Sequence, residues 1–297
     1  MSTNDRSLPL WVGATRPKTL WAAVAPVLIG LALSYRAGFF KPAAALVTLL
    51  CALFIQVGTN FANDYHDGMR GSDRPVDRLG PVRLTQSGRI KPVVMRNAYI
   101  FLFILAFIFG CYLVYIGGWP ILLIGLLSIL FGILYTAGPW PLAYMGLGDI
   151  FVLVFFGPVA TAGAYYIQTG DFSSIVLVAG LAPGFLSTAL LTVNNLRDME
   201  ADARSNKRTL AVRFGKTFAK IEYIFCIGTA SVIPLILMIF GHKDSLVFIA
   251  SFIFFLAFPA FKVILFQPVS NNLNRILALT GKLLLIYSIA FVFGWLL

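Results

Sequence analysis

The sequence predicts an all-α, polytopic membrane protein of nine transmembrane helices in two related halves, and three observations carry that expectation. Of its 297 residues, 59% are hydrophobic and only 12% charged, with a mean hydropathy of +0.86; a soluble domain carries about 25% charged residues. The apolar residues fall in stretches close to the roughly 20 residues that cross a bilayer core of about 30 Å. A pattern of asparagine and aspartate at the end of one stretch recurs at the end of another, far along the chain.

The stretches are 20–37, 43–62, 93–117, 121–137, 147–167, 175–196, 221–240, 246–266 and 276–297. The first follows a polar segment with Arg16 and Lys18. It exceeds the roughly 7 to 15 apolar residues of a cleaved signal peptide, so it is expected to remain as a span. Cys51, Cys111 and Cys226 sit singly inside apolar stretches, with no CxxC spacing, and read as buried small hydrophobes.

Lysines and arginines accumulate in cytoplasmic connections. Arg6, Arg16, Lys18, Arg70, Arg83, Arg89, Lys91, Arg197, Lys207 and Arg208 fall on one face, whereas only Arg36, Lys41 and Lys243 fall on the other. The N-terminus and the two long charged connections, 63–92 and 196–220, are therefore expected in the cytoplasm, with the chain in the cell membrane. The net charge of +11 follows largely from this topology and from contact with anionic lipid. The basic residues lie in short connections, without a separate soluble domain, which argues against nucleic acid as a partner. The chain reads as one membrane domain, residues 1–297, working through those two connections as catalytic loops.

The first connection opens "NDYHDGMRGSD" and the second contains "NNLRDMEAD". Asn194, Asp198 and Asp202 recur every four residues, and Asn60 with Asp64 and Asn63 with Asp67 share that spacing, which places each series along one helical face. Two corresponding helix ends facing one site account for the repeat. Bare opposed carboxylates repel, and a divalent cation is the simplest compensation. The donors are almost all oxygen: Asp64, Asp67, Asp73, Asp198 and Asp202, with the amides of Asn63 and Asn194 nearby. Magnesium takes such ligands and keeps waters and substrate phosphates in its shell, whereas zinc and copper favour Cys and His. Carboxylates, magnesium and surrounding Arg/Lys are the parts that hold a diphosphate. With apolar helices around it, the implied substrate has a diphosphate head and an apolar tail, as a polyprenyl diphosphate does.

These two stretches resemble the aspartate motifs of the UbiA-type intramembrane aromatic prenyltransferases. Within that superfamily, "NDYHDGMRGSD", with Gly71 and then Asp73, "NNLRDMEAD", "RPKTLWAAVAPVLIG" and "YMGLGDIFVLVFFG" are similar to the 1,4-dihydroxy-2-naphthoate branch of menaquinone synthesis. The resemblance implies transfer of a polyprenyl group to that aromatic acceptor, with loss of diphosphate and carbon dioxide, assisted by two magnesium ions. It also implies Asp64, Asp67, Asp73, Asp198 and Asp202 as metal ligands, Asp64 serving alternatively as a base near the acceptor. Asp73 follows Gly68 and Gly71, which loosen the helix and let it fold back. Asn63 and Asn194 orient ligands or cap helices. Arg16 contacts diphosphate or the acceptor carboxylate, or only orients the span; Arg83, Lys91 and Arg197 are candidates for phosphate. Tyr135 faces the allylic cation or belongs to an interfacial aromatic belt. Asp149, an acid this near a span, reads as functional. Where the branch often carries a basic residue after "YTAG", this chain has Pro139 and Trp140. Transfer to homogentisate or 4-hydroxybenzoate uses the same metal chemistry and remains open at this stage, as does a transporter with polar helix ends.

Overall fold

A computed structural model describes residues 7–70, 79–80, 83–240 and 246–297. Helices are the regular structure of these residues, which contain no strand: α1 (Ser7–Ala14), α2 (Trp21–Arg36), α3 (Pro42–Met69), α4 (Pro92–Gly117), α5 (Trp119–Leu134), α6 (Gly148–Val154), α7 (Ala160–Thr169), α8 (Ser174–Arg204), α9 (Leu210–Phe240), α10 (Ile253–Leu256), α11 (Phe258–Phe266) and α12 (Leu273–Leu296). Seven helical segments are long and apolar enough to cross a membrane. Three of these are interrupted: α6 and α7 form Gly148–Thr169, a 3-10 segment with α10 and α11 forms Leu246–Phe266, and α9 leaves helical geometry at Gly215.

The remaining two expected spans take other forms. Residues Leu10–Thr19 and α2 are bent by 50° at the break between them. α5 has 16 residues, about 24 Å at 1.5 Å per residue, which is shorter than the hydrocarbon core. Among the described residues the structure thus gives seven full segments, eight with the bent pair, and a ninth apolar helix, α5, below the length of a span, so the expected count of nine is not reproduced exactly.

Sequence chemistry sets the boundaries. α3, α4 and α5 each carry proline in the first turn, where its missing N–H costs nothing. α7 ends at Gly170 in the left-handed region, a position that favours residues without Cβ. Between α6 and α7 the backbone passes through a π-helical turn, Phe155–Val159, and leaves helical geometry at Gly157 beside Pro158. This break lets α6–α7 close on α8: a Cβ on Gly180 would stand 2.8 Å from the Pro158 Cα.

α8 is the axis of the bundle. Some 67% of its apolar window is buried, against 17% for α4, which faces lipid. Its buried Leu186, Val193 and Leu196 join Ile227 of α9 and Leu284 and Tyr287 of α12 in the main core. The closest helix partnerships are α8 with α9 and α3 with α4, so the two motif-bearing helices occupy corresponding places in the two halves.

One expectation is corrected. Of the connections expected as loops, 196–220 is helical apart from residues 205–209 and a break at Gly215, whereas at 63–92 only the first seven residues continue α3. α3 runs to Met69, α8 to Arg204, and α9 begins at Leu210, leaving only residues 205–209 between α8 and α9. Hydropathy marks where a helix leaves the apolar core, not where its backbone hydrogen bonds stop. The Leu, Arg, Met, Glu and Ala of "LRDMEADAR" are mostly good helix formers. Asp64, Asp67, Asp198 and Asp202 therefore sit on rigid helix ends. Cys51 and Cys226 are buried as expected, whereas Cys111 is exposed.

The close approach at the α6–α7 break predicts that Gly180→Leu destabilises the bundle by about 1–3 kcal/mol through overpacking, lowering the unfolding temperature in detergent. Gly228→Ala, with no atom within 4 Å of the added Cβ, should leave that temperature unchanged.

Candidate active site at the ends of α3 and α8

A cavity of about 850 Å³ runs from the charged ends of α3 and α8 into the membrane-spanning part of the bundle. Its polar end is lined by Arg16, Asn63, Asp64, Asp67, Arg83, Asn194, Arg197 and Lys207. Deeper, the lining is apolar and includes Phe131, Phe151 and Phe155. These rings form one cluster, with Phe131 to Phe151 centroids 4.7 Å apart and Phe131 to Phe155 5.3 Å apart.

On α3 the helical period places Asn60, Asp64 and Asp67 along one face, all buried. Asp64 anchors the segment that follows the helix: its carboxylate accepts from Leu84 N at 3.0 Å, Thr85 N at 2.9 Å and Thr85 Oγ1 at 2.7 Å. Asp67, only 2% exposed, accepts from Arg83 Nη2 at 2.5 Å and from the Tyr144 hydroxyl at 3.1 Å. The Asn63 side-chain carbonyl accepts from Thr136 Oγ1 at 2.8 Å.

On α8, Arg197 grips its neighbour Asp198 through Nε at 2.8 Å and Nη2 at 2.6 Å. The same guanidinium donates to the side-chain oxygens of Asn194 at 2.6 Å and Asn274 at 3.0 Å. Asn274 in turn donates to the Leu79 carbonyl, joining α12 to the segment after α3. Asp198 and Asp202 do not themselves line the cavity; their partners Arg197 and Lys207 do.

Lys207 ties the two clusters together. Its ammonium lies 3.4 Å from Asp202 Oδ1 and 5.9 Å from the centre of the Tyr144 ring, whose hydroxyl bonds Asp67. Burial disfavours its charge, but Asp202 and then Asp67 outweigh that and hold the lysine protonated well above its ordinary range. A single cation thus already answers carboxylates from both halves.

Arg16 has a left-handed backbone, φ 53° and ψ 65°, between α1 and the 3-10 turn Pro17–Thr19. A residue before proline favours extended backbone, so the left-handed geometry here is held against that preference. Asn60 Nδ2 holds the adjacent Thr15 carbonyl at 3.0 Å, and Thr19 Oγ1 holds the Arg16 carbonyl at 3.0 Å. This strained turn belongs to the cavity wall.

Of the expected residues, the structure brings Arg16, Asn63, Asp64, Asp67, Arg83, Tyr135, Asn194 and Arg197 to one cavity. Asp149 is buried behind it, adjoining Gly148, which abuts the Tyr135 hydroxyl. Lys91 is exposed and outside it: preceding Pro92 at the start of α4, it takes the extended backbone that proline imposes. Arg89 lines the cavity instead. Asp73 lies outside the described residues. Sequence reasoning missed the roles of Lys207, Tyr144, Thr85 and Asn274; the signals were Lys207 as a cation five residues beyond Asp202 and Tyr144 at the head of "YMGLGDIFVLVFFG".

Among the described residues, no three acidic, His or Cys side chains converge as a metal cage. Magnesium needs no such cage, since it binds one or two carboxylates and completes its shell with water and substrate phosphate. The oxygen-only acids of α3 and α8, already answered by a shared lysine, fit it.

The fold and this cavity define a helical membrane protein with a charged pocket at the root of an apolar chamber. The UbiA prenyltransferase family matches residues 23–296, and the chain belongs to that family. It is 39% identical to the 1,4-dihydroxy-2-naphthoate octaprenyltransferase of Escherichia coli (strain K12), over 84% of this chain and 81% of that one. The protein of the same name from Haemophilus influenzae is 35% identical, over 98% and 96%. Among solved structures, a UbiA homolog from Archaeoglobus fulgidus bound to GPP and Mg2+ superposes with a TM-score of 0.64 at 16% identity, covering 96% of this chain and 99% of that one, a likeness of fold.

Because Lys207 separates buried acids, Lys207→Met should cost on the order of 3 kcal/mol in chelator-treated protein. Added magnesium should restore part of that loss, so thermal unfolding with EDTA and with magnesium checks the prediction.

Proposed function

We propose that the chain transfers a polyprenyl group from polyprenyl diphosphate to 1,4-dihydroxy-2-naphthoate, releasing diphosphate and carbon dioxide and forming demethylmenaquinol, the reduced form of demethylmenaquinone. The observation that carries this reading is one cavity joining the carboxylates of α3 and the cations at the end of α8 to an aromatic, apolar interior. Relatives named for 1,4-dihydroxy-2-naphthoate octaprenyl transfer, at 30–39% identity, support the acceptor and a long donor. We place the protein in the cell membrane with α3 and α8 ending on the cytoplasmic side, as the lysine and arginine distribution favours.

Asp64, Asp67, Asp198 and Asp202, with Asp73, are the residues that would hold magnesium, two ions in our reading. When bound, magnesium supplies Lewis-acid stabilisation of the departing diphosphate. Arg16, Arg83, Arg197 and Lys207 take up the remaining phosphate charge as the allylic carbon–oxygen bond breaks and its electron pair leaves with diphosphate. The ring faces of Phe131, Phe151 and Phe155 stabilise the allylic cation, and their apolar surroundings exclude competing water.

The electron-rich naphthoate carbon bearing the carboxylate then forms the new carbon–carbon bond. Loss of carbon dioxide returns its bonding electrons to the ring and restores aromaticity. No net proton is released when the acceptor enters as carboxylate, so the transfer requires no base from Asp64, whose carboxylate accepts from the Leu84 and Thr85 amides.

Purified protein given magnesium, octaprenyl diphosphate and dihydroxynaphthoate should release diphosphate and carbon dioxide in equal amounts. Activity with 4-hydroxybenzoate and none with the naphthoate would overturn the acceptor. Asp67→Asn should lower kcat by roughly 100-fold or more, as loss of a charge-stabilising contact in a preorganised site does.

A further inference from the structure

We propose a second phosphate-binding site outside the cavity: a shallow basic pocket, formed by Arg70, Arg208 and Arg213 around Tyr144 and Trp140, that takes a phosphate-bearing anion. The pocket measures about 450 Å³ and shares no lining residue with the cavity. All three arginines are exposed.

Their hydrogen bonds run to neutral carbonyls. Arg70 Nη2 donates to Gly138 O at 2.7 Å, Arg213 Nη2 to Met145 O at 2.7 Å and Arg213 Nε to Arg208 O at 3.0 Å. These bonds fix two of the forks in place without cancelling their charge. No Asp or Glu lines the pocket among the described residues. Arg83 and Arg197, by contrast, each face a carboxylate, Asp67 and Asp198. Positioned guanidinium groups with remaining donors match the geometry of phosphate oxygens.

The setting narrows the ligand. Trp140 is 75% exposed and Met145 40% exposed at the rim, next to the end of the apolar α5. Tryptophan concentrates at the level of lipid headgroups, and basic residues there attract anionic ones. The ligand is thus a phosphate held at the membrane surface, either a lipid headgroup or free diphosphate. Tyr144 connects this pocket to the acids: its ring lies 4.8 Å from the Arg70 guanidinium, while its hydroxyl bonds Asp67.

The full-length protein in nanodiscs of phosphatidylcholine, kept in EDTA, can be titrated with inorganic diphosphate. A second series replaces part of the phosphatidylcholine with phosphatidylglycerol. The readout is the part of the tryptophan fluorescence change that Trp140→Phe abolishes. A saturable response is expected in at least one series, weakened at least tenfold by R208Q together with R213Q, and separately by R70Q. Response to diphosphate alone assigns the free anion, and response to phosphatidylglycerol alone assigns the headgroup. A response absent from both series, or unchanged in any variant that folds, overturns the site.

Discussion

Carboxylates buried where two apolar helices end are the constraint on which the rest of the structure depends. Asp64 and Asp67 on α3 and Asp198 and Asp202 on α8 are each no more than 7% exposed, and charges so placed persist only if paired. The chain answers them one by one. The Leu84–Thr85 segment is drawn onto Asp64, Arg83 onto Asp67, Arg197 onto Asp198 and Lys207 onto Asp202. The folding of the segments around the acids is largely the record of this neutralisation.

The same arrangement underlies the diphosphate site proposed above. Four cationic side chains converge on helix ends held rigid by α8 at the bundle axis and by the break at Gly157 that lets α6–α7 close on it. The chamber below is lined with rings, so one molecule with a charged head and an apolar tail satisfies both ends. Tyr144 extends the network outward, its ring under Arg70 and its hydroxyl on Asp67.

Much of this was legible beforehand. Spans follow from hydropathy because the bilayer imposes a length, and the four-residue spacing of Asn194, Asp198 and Asp202 located a helical face before any helix end was seen. The extent of α8 and α9 was not legible, since charged residues that continue a helix look like loop to a hydropathy scale. Lys207 was hidden among many cations whose common explanation is topology. Tyr144 lay in a Gly/Pro-rich link where an interfacial tyrosine is ordinary. Asp64 had two expected roles, ligand or base; its bonds to Leu84 and Thr85 depend on a segment 20 residues away folding back, which no local pattern encodes. Lys91 and Arg89 were indistinguishable until the backbone before Pro92 separated them.

The central claim is that the acids of α3 and α8 form one cation-binding unit. Manganese binding in the presence of diphosphate, followed by electron paramagnetic resonance in Asp67→Asn, Asp202→Asn and the double variant, tests it most directly. A single shared unit predicts that each substitution weakens binding strongly and that the double variant is little worse than the weaker-binding single one. Losses that multiply independently would place the two acids in separate sites and contradict the account.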